Sequence, residues 1–121
     1  MNVKKFYEDI GGSYSAAVSI MMNDALIERM LAKFMANNVY NDIIAAYKNN
    51  DLEKVFALAH SFKGVTGNLA LTPLYELASI ITEATRNNPN ADIQADIEKL
   101  ENVYSLIVEC YQNNNHKRGE G

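Results

Sequence analysis

The sequence is poor in the residues that build several common kinds of site. Its 121 residues include one cysteine, two prolines and no tryptophan. A single cysteine, Cys110, cannot form an internal disulfide, which favours a reducing compartment and a small buried side chain at that position. His60 has no second His or Cys at ligand spacing, and no loop carries the alternating carboxylates of a calcium site. We therefore predict no metal centre.

Basic charge is also scarce. The chain has 11 Lys and Arg against 15 Asp and Glu, which gives a formal net charge of -4. Binding to nucleic acid depends on basic side chains that neutralise phosphates, so we expect no nucleic-acid partner. The one basic cluster consists of His116, Lys117 and Arg118 in a tail that also contains glycines. We interpret these as solvated terminal residues.

Long hydrophobic runs are missing as well. The first residues soon reach Glu8 and Asp9 without the apolar stretch of a signal peptide. The longest apolar stretch, residues 16–22, is interrupted by Ser19 and is too short to span a bilayer. These features predict a cytoplasmic protein with no membrane association.

Helical periodicity fills nearly the whole chain, and no run alternates as a β-strand would. We expect Thr72 to cap a helix in which Pro73 takes the first position. Breaks divide the chain into short helices at the N-terminus followed by longer amphipathic ones; the breaks lie at residues 11–12, 37–38, 49–51, 72–73 and 87–90. The pattern predicts an all-α protein, an antiparallel four-helix bundle with additional short N-terminal helices. We place the domain at residues 1–113 and a flexible tail at 114–121.

The helix predicted over residues 52–69 has two different sides. Its inward stripe consists of Val55, Leu58, Ala59, Phe62, Val65, Thr66 and Leu69. The opposite side carries His60, with Lys63, Gly64 and Gly67 at i+3, i+4 and i+7. Each interior glycine costs a helix about 0.5–1 kcal/mol relative to alanine, which suggests that something bulky must approach beside His60. The Lys63 ammonium could reach oxygens of a group attached to the imidazole.

These residues carry a family resemblance. The stretch Ala59-His60-Ser61-Phe62-Lys63-Gly64, with Asn68-Leu69 after it, resembles the signature of histidine-phosphotransfer (Hpt) domains of bacterial two-component phosphorelays. The helical pattern is similar to that family over roughly residues 3–111.

The resemblance implies that His60 accepts a phosphoryl group from the aspartyl phosphate of one receiver domain and returns it to another. Lys63 would neutralise charge, while Gly64 and Gly67 would leave access. The partners would be response-regulator receiver domains and a hybrid histidine kinase, with Mg²⁺ on the receiver and no cofactor on this chain. We expect a monomer without kinase activity of its own, since the sequence has neither a G-x-G-x-x-G loop nor a P-loop.

Two positions depart from the family pattern. The glycine that usually follows Asn-Leu is Ala70 here, which leaves the end of the helix open. Many relatives also place a polar residue on the next helix to bond the free ring nitrogen. The nearest position by spacing is Thr82, with Glu83 beside it, and both are candidates for that bond. Asn68 is a further candidate for the site, although its amide could equally bond backbone at the helix end.

Other interpretations of these residues stay open. His60 could be a half-exposed structural histidine and Lys63 a solvated lysine, with glycines that permit close helix packing. The chain could also be a non-catalytic helical adaptor that binds a histidine kinase or receiver domain without carrying phosphate. A third possibility is a structural bundle whose partner binds the exposed side of the last helix.

Overall fold

The computed structural model describes residues 1–115, which form seven helices and no strand. The helices are α1 Val3–Ile10, α2 Tyr14–Met21, α3 Asp24–Ala36, α4 Val39–Lys48, α5 Leu52–Asn68, α6 Thr72–Thr85 and α7 Gln94–Asn115. The all-α class is confirmed. Within these residues no helix is both long enough and apolar enough to cross a bilayer. Helix α7 continues two residues past the predicted end of the domain at 113, while His116, Lys117 and Arg118 lie outside the described residues, so the flexible tail stays a prediction.

Side-chain caps begin four of the seven helices in residues 1–115. The side chains of Asn2, Ser13, Asn23 and Asp51 each accept a backbone N–H in the first turn of the helix that follows. Gly11 ends α1 in the left-handed conformation, with φ of 72°.

The predicted cap at Thr72 is wrong. The N–H of Tyr75 donates to the carbonyl of Leu71, so α6 begins at Thr72 and Leu71 takes the capping position without a side-chain bond. The hydroxyl of Thr72 instead donates to the carbonyl of Ala70 at 3.5 Å. The first residue of α6 is therefore Thr72, one residue earlier than the sequence pattern predicts.

The longer helices pack as the predicted bundle. Helices α5 and α6 form a closely packed hairpin, with α4 against α5 and α7 against α6. Phe34 of α3 stacks on Phe62 of α5, with ring centroids 5.7 Å apart, and its ring also lies 6.3 Å from that of Tyr104 in α7. Aromatic packing thus joins three helices in one core.

The short helix α1 is bonded to the C-terminal end of α5. Tyr7 is fully buried, and its hydroxyl donates to the carbonyl of Leu69 at 2.6 Å. A Cβ at Gly12 would stand 2.8 Å from the carbonyl oxygen of Ala70, so the chain can pass there only without a side chain. The Ser13 N–H donates to that same oxygen at 3.3 Å. The first two helices thereby hold the end of α5.

The end of α5 has the geometry that glycine favours. Ala70 has φ of 55°, and the N–H of Leu71 donates to the carbonyl of Thr66 at 2.9 Å, as in a Schellman motif. The helix therefore ends where the family's glycine would end it. Alanine reaches the same left-handed conformation at a cost of roughly 1 kcal/mol.

The inward stripe of α5 is confirmed with one exception. Its members are fully or partly buried apart from Val65, which is 37% exposed. Val65 borders an apolar groove that α5 shares with Ile20 of α2 and Met30 of α3. The prediction for Val65 is wrong because α2 and α3 leave this edge of the stripe open.

Candidate functional site

His60 lies near the middle of α5 on the side that faces solvent. It is exposed, while Ala59 and Phe62 on the opposite side of the same turn are 1% and 3% exposed. The core therefore does not need the imidazole, and a second protein can reach the ring. We call His60, Lys63 and Gly64 the outer face of α5, and the buried residues Val55, Ala59, Phe62 and Thr66 its inner face.

The outer face has free space one turn from His60. Gly64 is exposed, and no atom lies within 4 Å of the point where its Cβ would stand, apart from the helix backbone itself. Lys63 is half-buried beside it. The structure thus brings together the three residues that the sequence motif predicted as nucleophile, cation and opening.

Gly67 has different surroundings. A Cβ there would stand 3.1 Å from Cδ1 and Cε1 of Tyr75, because the tyrosine ring of α6 packs against this part of α5. The space beside Gly67 is already filled, so the geometry gives this glycine a packing role and does not support the access role predicted for it. Such a contact depends on how α5 and α6 pair, which helical spacing alone does not reveal.

Asn68 and Thr82 do not join the outer face either. Asn68 is exposed and borders the apolar groove beside Val65. Thr82 is fully buried, and its hydroxyl donates to the carbonyl of Ala78 at 2.6 Å, within its own helix. The predicted bond from Thr82 to the ring nitrogen therefore has no support, since a buried hydroxyl satisfied by its own backbone points away from an exposed imidazole.

Three further side chains lie near His60, and the sequence had offered only one of them, Glu83, as a candidate. The ring of Phe56, one turn earlier on α5, lies 6.0 Å from the imidazole centroid at an angle of 34°. The guanidinium of Arg86 lies 5.0 Å from the centre of the Phe56 ring. Arg86 also donates twice to Glu83, from Nη2 to Oε2 at 3.0 Å and from Nε to Oε1 at 3.3 Å.

Glu83 connects this ion pair to the outer face. The hydrogen bond from Arg86 lowers the pKa of the Glu83 carboxyl below its usual value, and the positive charge of Arg86 lowers it further. Lys63 and His60 contribute in the same direction, while partial burial opposes them. The carboxylate of Glu83 is therefore attracted to the two basic groups of the outer face.

The sequence contains part of the information that places these residues near His60. Phe56 precedes His60 by four residues and so shares its side of the helix, and Glu83 and Arg86 have the spacing of a helix ion pair. Whether α6 turns that pair toward His60 depends on the rotation of α6 against α5.

This arrangement suits a covalent carrier more than a pocket enzyme. The imidazole offers a nucleophilic nitrogen at an exposed position, a flexible cation lies one turn away, and open space adjoins both. A group held there would remain accessible to a second protein.

Comparisons with known proteins agree with this geometry. A family model for the Hpt domain matches residues 24–110, which is more than half of the chain and includes every residue of the outer face. The chain belongs to the Hpt-domain family. No curated protein and no solved structure shows significant similarity to it.

Proposed function

We propose that this protein is a phosphorelay intermediate that accepts and donates a phosphoryl group on His60. The observation that carries the proposal is the position of His60 at an exposed site beside Lys63 and the open space at Gly64, inside the region that the Hpt family covers. Hpt domains are phosphocarriers rather than kinases, and they interact with receiver domains and histidine kinases.

The transfer is a displacement at phosphorus between two proteins. A lone pair on one imidazole nitrogen forms the P–N bond while the P–O bond to a receiver aspartate breaks and the carboxylate leaves. The ring then carries a delocalised positive charge until the other nitrogen releases its proton to water. Return of the phosphoryl group to a second aspartate reverses these steps.

Each residue of the outer face has a defined part in this reaction. Lys63 neutralises charge on the phosphoryl oxygens as they approach His60. Gly64 leaves room for the phosphoryl group and for the receiver loop that delivers it. On this proposal Mg²⁺ would be held by the receiver domain, where it would supply positive charge beside the aspartyl phosphate.

The direct test is chemical phosphorylation followed by mapping. The protein is incubated with phosphoramidate, whose P–N bond breaks with loss of ammonia as the new P–N bond forms. Mass spectrometry under alkaline conditions then locates the label, with His60→Gln as the variant and His116→Gln, the other histidine of the chain, as the matched control. We expect one acid-labile phosphoryl group on His60 that disappears in H60Q and persists in H116Q.

Two further reactions test the carrier role. ATP alone should give no label, and a receiver domain with Mg²⁺ should remove the label from His60. Absence of label on folded protein, both from phosphoramidate and from a receiver-borne phosphoaspartate, would exclude the carrier function. A folded protein that binds a receiver domain without accepting phosphate would instead be the non-catalytic adaptor.

A further inference from the structure

We propose that Glu83 and Arg86 form a charge pair that sets the electrostatic potential at His60, in which Arg86 neutralises a carboxylate that would otherwise repel the phosphoryl group. The proposal rests on the proposed function and adds to it two positioning residues at the C-terminal end of α6, Glu83 within the helix and Arg86 directly after it. Neither residue belongs to the sequence motif around His60.

The geometry fixes Arg86 from two sides. Its guanidinium makes two hydrogen bonds to Glu83, at 3.0 and 3.3 Å, and lies 5.0 Å from the centre of the Phe56 ring. The same Phe56 ring lies 6.0 Å from the imidazole of His60. A planar guanidinium held by a carboxylate on one side and an aromatic ring on the other has few alternative positions.

The position of Glu83 explains why the arginine is needed. A phosphoryl group adds between about 1.5 and 2 negative charges at neutral pH. Glu83 already interacts with His60 and Lys63, so an unpaired carboxylate there would oppose that added charge and draw Lys63 toward itself. Arg86 cancels the carboxylate and leaves the Lys63 ammonium available for the phosphoryl oxygens.

The Glu83–Arg86 pair is poorly explained as a device that stabilises the fold. The side chains of Glu83 and Arg86 are 62% and 46% exposed. Exposed ion pairs contribute little to folding, because solvent screens them and ordering two long side chains has an entropic cost. The matching pair Lys5–Asp9 on α1, with a distance of 2.9 Å, has the same character but lies on a helix that the site does not use.

The test compares initial rates of His60 phosphorylation by phosphoramidate at low ionic strength. The variants are Arg86→Gln, Glu83→Gln, the double variant and Arg86→Lys. We expect R86Q to slow labelling roughly three-fold, E83Q to accelerate it by a similar factor and the double variant to return close to the wild-type rate, as screened charges near a solvent-exposed site require. R86K keeps the charge and should recover most of the rate lost in R86Q.

Controls separate this effect from folding and from the carrier chemistry itself. The variants K5Q and D9N remove the α1 ion pair and should leave the rate unchanged, and thermal unfolding should show that all variants are folded. Labelled wild-type protein with unchanged rates in E83Q and R86Q would overturn the charge pair and leave the carrier function intact. A double variant as slow as R86Q would also overturn it, because Arg86 would then act on the phosphoryl group without Glu83. No label on His60 in the wild type would remove both proposals.

Discussion

The two sides of α5 obey different physical demands. The inner face is buried against α3 and α6, and the stacked rings of Phe62 and Phe34 show how closely its side chains are fitted. The outer face carries an exposed imidazole, a lysine and a glycine with empty space beside it. One side of this helix thus stabilises the fold by packing, and the other contributes little to stability.

Because the two sides differ in this way, mutation should separate their two roles, stabilisation of the fold and phosphorylation. Substitutions on the inner face should lower the free energy of unfolding, because buried apolar groups lose both transfer free energy and packing. Substitutions on the outer face should change phosphorylation while stability stays the same or rises.

The strongest contrast is between Phe62→Ala and His60→Gln. Phe62 is 3% exposed, and its loss leaves a cavity beside Phe34, so the free energy of unfolding should fall by about 3–5 kcal/mol. H60Q changes an exposed residue and should stay within about 0.5 kcal/mol of the wild type while it abolishes labelling. Urea unfolding measures the free energy of unfolding of both variants. A large loss of stability in H60Q would show that the two sides are not independent.

A smaller loss should follow removal of the bond between α1 and the end of α5. Tyr7→Phe deletes the hydroxyl that donates to the Leu69 carbonyl and should lower stability by about 1–2 kcal/mol at neutral pH. The measurement is again urea unfolding, here at a series of pH values.

The same variant gives a pH signature. Burial raises the pKa of Tyr7 above its ordinary value of 10.0, so the folded state keeps the phenol protonated. The stabilisation is therefore complete below pH 10 and is lost as the pH rises past it, since the unfolded state then releases the proton more readily. The advantage of the wild type over Y7F should shrink above pH 10; a constant difference would contradict burial of the phenol.

Changes in stability smaller than that of Y7F should come from the two glycines of α5. At Gly64 a methyl group meets open space, so Gly64→Ala should stabilise the helix by about 0.5–1 kcal/mol yet slow phosphorylation. At Gly67 the added methyl meets the Tyr75 ring at 3.1 Å, which should offset the gain in helix propensity. Equal effects of G64A and G67A on stability and on labelling would show that the spaces beside the two glycines are equivalent.

The sequence predicted the features that depend on local chemistry. The break predicted at residues 11–12 is found because Gly11 ends α1 with a positive φ. His60, Lys63 and Gly64 were identified because helical spacing alone places them on one side of α5. Each of these conclusions needs only the conformation of a single helix.

Features that depend on how the helices pair could not be predicted from the sequence. Val65 is exposed because α2 and α3 leave a groove beside it, and Gly67 is occupied because Tyr75 of α6 lies against it. Of the two candidates on α6, Thr82 is buried and Glu83 is exposed because of the rotation of α6, which the sequence does not reveal. Cys110, predicted as buried, is only partly buried and packs against the outside of the core.

The left-handed conformation of Ala70 has a consequence for the order in which the chain folds. An alanine there gives the end of α5 little local preference to stop, and the bond that holds this end joins Tyr7 to a residue 62 positions away. Contacts of such long sequence separation form late, because the intervening loop must first be closed. The local hairpin of α5 and α6 should therefore gain structure early in refolding, and the bond from Tyr7 that fixes its turn should form only when α1 docks.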